Sequence, residues 1–226
     1  MPSTGLSGRI AAVLFDLDGT LVDSAPDLAG AANDLRASHG LPPLPYAALR
    51  PMVGTGARGM VGVAFGVAPG DERFEPLRDA FLARYAERLM HETRVFDAVG
   101  SVLLRLEAAG LPWGIVTNKA MRFAEPVVQG VGLAQRAAVL VAGDTTPHAK
   151  PHPAPLLEAA RRLGVAPAAC AYVGDDHRDM VAGRAAGMVC LAAAWGYLGA
   201  GEPVAAWGAD QVLDQPGQLL NWLDLA

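Results

Sequence analysis

The chain has 226 residues, 52% of them hydrophobic, and a formal net charge of −5. That length suits one large domain or a core with an insert, and there is no basic tail or stripe of the kind that tracks nucleic-acid phosphates. No apolar run is long enough to cross a bilayer, and residues 1–10 lack a charged-then-apolar targeting pattern, so the expectation is a cytoplasmic protein with no nucleic-acid or membrane partner.

Residues 10–15 (IAAVLF) form a continuous apolar run that stops at Asp16. Continuous rather than alternating apolarity predicts a strand buried on both faces, as in a parallel sheet. From 23 to 92 the pattern turns helical. Ser24 with Asp27 stands in capping-box spacing, Gly40 and Pro42 mark a helix end, and 49–65 and 74–90 carry helical periodicity with no strong strand signal. Beyond that interval, strands are predicted over 112–116, 137–142, 169–173 and 189–194, with a short last one at Val212 and Leu213. They alternate with helices over 99–109, 123–131, 153–163 and 178–186, and 218–225 closes the chain as a helix. This alternation predicts an α/β fold: a Rossmann-like open parallel sheet core, 1–22 and 93–226, with an inserted all-helical cap domain, 23–92. Cys170 and Cys190 fall in the apolar strand runs and read as buried, reduced thiols.

Four polar residues lie at, or just past, the C-terminal ends of predicted strands: Asp16, Thr117, Lys150 and Asp175. In an open α/β sheet that edge forms the ligand crevice, so residues far apart in sequence are aimed at one place. A carboxylate such as Asp16 can attack phosphorus to give an acyl phosphate, and it needs positive charge to approach a phosphate dianion. Mg2+ held by carboxylates supplies that charge. Asp18, two residues on, can protonate the leaving oxygen and then activate water, a role that calls for a pKa raised by burial or neighbouring carboxylates. Gly19 lets the chain turn away and offers backbone N–H groups to phosphate oxygens. Thr117 and Asn118 are candidate donors to the transferring phosphoryl group, and Lys150 adds a point charge. Asp175 completes the metal site, with Asp176 and Asp179 supporting it from behind. Of 18 basic residues only Lys119 and Lys150 are lysines, and two lysines in an arginine-rich chain suggest specific tasks.

Taken in order, FDLDGTLVDS, VTNK, HAKPHP and VGDDHRDM resemble the four motifs of the haloacid dehalogenase superfamily across nearly the whole chain. The likeness is greatest to its phosphoglycolate phosphatase-like branch, and VTNKAMRFAEPVVQGVGL is also similar to the phosphatases of N-acetylmuramic acid 6-phosphate. The resemblance implies Asp16 as nucleophile, Asp18 as acid and base, and Thr117 and Lys150 as phosphoryl-binding groups. It implies Mg2+ on Asp16, Asp175 and the backbone carbonyl of Asp18, and a helical cap of the first type. Asp176 departs from the Ser that many relatives carry. The implied partner is a small phosphorylated metabolite, 2-phosphoglycolate or N-acetylmuramic acid 6-phosphate, acted on by a monomer or homodimer.

Both substrates carry a carboxylate, so an arginine anchor is expected, and Arg58 and Arg122 are the candidates. Gly54 to Gly59 fits Gly-x-Gly-x-x-Gly but follows no predicted strand, which removes the context a dinucleotide site requires. Lys119 is open between orienting phosphate and closing a loop. Pro151 and Pro153, on either side of His152, argue against a helical metal pair of His148 and His152. Three other readings share parts of the set. A dehalogenase has no need of Asp18, a signalling receiver lacks both Asp18 and the insert, and a sugar phosphomutase shares every core residue.

Overall fold

The structure, a computed structural model, describes residues 10–226. Residues 1–9, which the proposed core segment 1–22 includes and on which the reading of an absent targeting pattern falls, lie outside the described residues. In chain order the first half contains β1 (Ala12–Phe15), β2 (Val22–Asp23), α1 (Ala25–Ser38), α2 (Tyr46–Leu49), α3 (Gly56–Phe65), α4 (Phe74–Arg88) and β3 (Arg94–Val95). There follow α5 (Val99–Ala108), β4 (Trp113–Val116), α6 (Met121–Gly130), β5 (Leu140–Val141), α7 (Ala154–Leu163), β6 (Cys170–Gly174), α8 (His177–Ala185), β7 (Val189–Ala193), β8 (Gln211–Leu213) and α9 (Gln218–Trp222).

Among the described residues, six strands form one parallel sheet in the order β5-β4-β1-β6-β7-β8, the open Rossmann-like arrangement that the alternating pattern predicts. Both faces are covered. Val13, Phe15, Ala171 and Val173 pack with α5, α6 and α9, while Ala12, Leu14, Cys170 and Tyr172 pack with α7 and α8. This double burial is why the strand sequences are apolar without alternation. Cys170 and Cys190 are free and buried, and burial pushes both thiols up to about 11. Among the described residues no helix is long and apolar enough to cross a membrane.

The helices between β2 and β3 share a second buried cluster that includes Leu28, Leu35, Met60, Val61, Phe81 and Tyr85, and Phe123 and Tyr197 join it from the sheet side. Each large apolar side chain so buried contributes roughly 1.5–3 kcal/mol.

The local expectations need three corrections here. A two-stranded antiparallel ribbon, β2 with β3, pairs Val22 with Val95 and Asp23 with Arg94 at the two ends of the helical segment. Strands two residues long carry no periodicity, so the sequence did not show them. Ser24 makes no side-chain cap on α1. Asp27, its expected capping partner, is fully buried and instead accepts from the Glu92 amide (3.1 Å), the Thr93 amide (2.9 Å) and the Thr93 hydroxyl (2.7 Å). It thereby ties the start of the helical segment to its end. The periodic stretch 49–65 is also not one helix: a 3-10 segment, Arg50–Thr55, precedes α3, and Gly56 at φ +64° redirects the chain.

Candidate active site

β1 lies at the centre of the sheet between β4 and β6, so Asp16, Thr117 and Asp175, each just past one of these strands, emerge side by side. The Asp16 amide donates to the Val173 carbonyl (2.9 Å) and the Thr117 amide to Val141 (2.9 Å), which extends the ladder up to the site itself. Lys150 arrives on the connection from β5 to α7. Its backbone is held by Asn118, whose Oδ1 accepts from the Lys150 amide and whose Nδ2 donates to the Lys150 carbonyl, both at 2.9 Å. Asn118, expected as a phosphoryl donor, thus positions Lys150 through both polar atoms of its side chain, and the second Nδ2 proton stays available to a ligand.

The Lys150 ammonium is almost wholly buried. It lies 3.0 Å from Asp16 Oδ1 and 2.7 Å from Asp179 Oδ1, and it donates to Tyr172 Oη (2.7 Å) and the Val116 carbonyl (3.1 Å). The Tyr172 hydroxyl has acceptors at Val116 (3.1 Å) and Asp179 (3.0 Å). Asp179 Oδ2 in turn accepts from the Asp176 amide (3.1 Å). Gly174 permits this closeness, since a Cβ there would stand 2.4 Å from Asp179 Oδ2. Asp16 Oδ1 also accepts from the Leu17 amide (2.7 Å), so two donors on one oxygen set how the carboxylate is turned.

Asp175 is fixed from both sides, by the Thr20 hydroxyl on Oδ1 (2.8 Å) and the Tyr197 amide on Oδ2 (2.8 Å). Gly19, at φ +84°, passes so close that a Cβ would lie 2.1 Å from Asp175 Oδ2. Its amide donates to the Val22 carbonyl (2.9 Å), so the expectation that this N–H holds phosphate is corrected. The Tyr197 hydroxyl reaches the far side of the turn, accepting from the Ser24 (2.8 Å) and Ala25 (3.0 Å) amides and donating to Asp23 Oδ1 (3.0 Å).

Asp16, Asp175 and Asp179 each present an oxygen within 4.8 Å of the others. Burial, against the pull of Lys150, raises the Asp16 carboxyl to about 7, and burial with the charges of Asp16 and Asp179 raises Asp175 well above the ordinary range. With all four ionised, Asp16, Asp18, Asp175 and Asp179 outnumber the ammonium groups of Lys119 and Lys150 by two charges, while Arg178 pairs with Asp176. Hard oxygen donors with that excess fit a divalent cation such as Mg2+.

The direct partners of the Asp18 carboxylate are a cation and a hydroxyl. Lys119 Nζ sits 2.9 Å from each of its oxygens, and the Ser24 hydroxyl donates to Oδ1. Thr117 is buried and its Oγ1 accepts from the Lys119 amide (3.1 Å), which leaves the hydroxyl proton to donate into the site.

These groups open into a cavity of about 300 Å³, roofed by Leu28, Val53, Phe81, Leu82 and Tyr85 and by the turn from Gly54 to Ala57. Arg122 lines it from the rim, its guanidinium 4.7 Å over the Phe123 ring. Arg58 is exposed and is not among the lining residues; its neighbours in the turn are. Asp176 is likewise corrected. Its carboxylate caps α8 through the Arg178 amide (2.8 Å) and pairs with the Arg178 guanidinium, which also donates to the Gly54 carbonyl. It links the sheet edge to the roof instead of backing the carboxylate cluster.

A sequence profile of the haloacid dehalogenase-like hydrolases matches residues 10–187. The chain belongs to this family. Over 218 residues it is 45% identical to the N-acetylmuramic acid 6-phosphate phosphatase of Pseudomonas aeruginosa, spanning 96% of each chain. Over 209 residues it is 51% identical to a phosphoglycolate phosphatase of Xanthomonas campestris pv. campestris, spanning 92% of this chain and 94% of the relative. The crystal structure of a predicted phosphoglycolate phosphatase from Haemophilus somnus matches with a TM-score of 0.84 at 28% identity, covering 95% of this chain and 98% of that one.

For this haloacid dehalogenase-like hydrolase, the residues that motif reading passed over are Tyr85, Tyr172 and Tyr197. Tyr172 alone left a trace, as the one hydroxyl within an apolar strand run. The others meet the site only through tertiary contacts.

Proposed function

We propose that the chain is a Mg2+-dependent phosphatase that transfers the phosphoryl group of a small phosphomonoester to Asp16 and then to water. The observation that carries this reading is the convergence of Asp16, Lys150, Asp175 and Asp179 around one carboxylate-rich point at the mouth of the cavity. Asp16 and Asp175 would hold the magnesium, with the Asp18 carbonyl; the bound cation supplies the positive charge that lets a carboxylate approach a phosphate dianion. An Asp16 oxygen bonds to phosphorus as the ester P–O bond breaks, and the leaving oxygen takes a proton from Asp18. Asp18 then takes a proton from a water whose oxygen displaces Asp16 from phosphorus. Lys150 and the Thr117 hydroxyl stabilise charge on the phosphoryl oxygens, while Lys119 and Ser24 fix where the Asp18 carboxyl stands. Residues 23–92 act as a cap domain on a core of 1–22 and 93–226, excluding water when closed and admitting substrate when open.

The cavity bears on the choice of substrate. Its volume of about 300 Å³ and the apolar walls of Leu28, Val53, Phe81 and Leu82 suit an acylated sugar acid better than glycolate, which is smaller and bears no apolar group. N-acetylmuramic acid 6-phosphate is therefore the preferred reading, with 2-phosphoglycolate second because close relatives carry that name. A kcat/KM panel with Mg2+ that spans both acids and several neutral sugar phosphates decides between them. Preference for neutral sugar phosphates over both acids would remove the carboxylate-anchor role given to Arg122.

A further inference from the structure

Tyr85 on α4 is 2% exposed and lines the cavity, and its hydroxyl proton has no acceptor within the described fold, since the Lys119 ammonium beside it can only donate. Buried hydroxyl protons without acceptors are destabilising and rare, so one that faces a cavity points to an occupant that supplies the bond. The ring cannot turn away. It lies parallel to Phe81 (centroids 6.5 Å apart, planes at 7°), packs on Phe123 at 5.5 Å, and carries the Lys119 ammonium 4.8 Å from its centre. That same ammonium binds both oxygens of Asp18, which places Tyr85 beside the group assigned to protonate the leaving oxygen. Burial raises the hydroxyl to about 12, so it stays protonated and acts as a donor.

From this geometry we infer that Tyr85 is a specificity-determining residue whose hydroxyl donates a hydrogen bond to an oxygen of the leaving group close to the ester oxygen. The inference rests on the phosphatase reading and deepens it. The acceptor is a sugar hydroxyl or ring oxygen, or a carboxylate; leaving groups without such an oxygen cannot satisfy the donor.

The test compares wild-type protein with Tyr85→Phe, in Mg2+, on N-acetylmuramic acid 6-phosphate, 2-phosphoglycolate and phenyl phosphate. The expected result is a fall of about tenfold or more in the ratio of kcat/KM for at least one of the two acids to kcat/KM for phenyl phosphate. The melting temperature should change little, because the hydroxyl proton has no internal acceptor to lose. An unchanged ratio for both acids, or a lowered melting temperature, overturns the inference while leaving the phosphatase reading intact. Wild-type protein inert toward all three substrates removes the phosphatase reading and the inference with it.

Discussion

Replacing Lys150 with Met keeps the length of the side chain and removes its ammonium. In the folded protein that ammonium is 3.0 Å from Asp16 and 2.7 Å from Asp179. At an effective dielectric constant of about 20, those distances correspond to attractions of about 5.5 and about 6 kcal/mol. Burial works against the charged form, yet Asp16 and Asp179 hold the Lys150 pKa above the ordinary lysine value, so attraction outweighs desolvation. Deleting one partner of a buried ionic cluster leaves the others uncompensated, and the net loss is about 3–5 kcal/mol. That is a large share of a typical total of about 5–15 kcal/mol. Urea unfolding of both proteins at pH 8 with EDTA reads the loss as a midpoint lower by about 1 M or more. With Mg2+ present, kcat/KM should fall about a hundred- to a thousandfold. A variant as stable as the wild type in EDTA would refute the charge arrangement, because the cluster would then not depend on Lys150.

Further outcomes follow from the same site. Asp16 titrates at about 7 and Asp175 is shifted in the same direction, so the folded state binds more protons than the unfolded chain above about pH 4. Stability without metal should therefore fall as pH rises through about 4 to 7, and saturating Mg2+ should flatten the slope; melting curves across pH in EDTA and in Mg2+ check this, and a rise in EDTA contradicts it. Asp16→Asn should abolish turnover yet match or exceed the wild type in metal-free melting temperature at pH 8, while Asp18→Asn should allow at most slow phosphorylation with impaired hydrolysis; normal turnover by Asp16→Asn ends the mechanism. Tyr197→Phe removes the acceptor of the Ser24 amide, while the Ala25 amide keeps Asp23 Oδ1 at 3.3 Å, and should destabilise the protein by about 1–3 kcal/mol in urea unfolding; an unchanged midpoint contradicts this.

Much of the core was legible because a parallel sheet buries both faces of its strands. Apolar runs ending at Asp16, Thr117 and Asp175 mark where β1, β4 and β6 stop, and the motif order reflects the chain's return to the same sheet edge. The ribbon of β2 and β3 escaped notice because two-residue strands are made by their pairing and not by their sequence. Motif position points Asn118 and Gly19 at phosphate, and the hydrogen bonds that hold Lys150 and Val22 to them become visible only in the fold. Arg58 and Arg122 looked alike as candidate anchors until the roof of the cavity showed one outside it and one on its rim.

Residue types and their spacing along the chain were sufficient to specify the alternating strands and helices, the helical insert and the carboxylate-rich strand ends. These are properties of segments, set by local periodicity and by which faces must be buried. Only the tertiary structure decided which charges meet: Lys119 on Asp18, Lys150 between Asp16 and Asp179, and Tyr85 over the cavity without an acceptor. Such pairings join residues far apart in the chain: Lys119 and Asp18 are 101 positions apart, and Lys150 and Asp16 farther still. A hydrogen bond or ion pair forms only within about 3–4 Å, a distance that packing sets and composition does not encode.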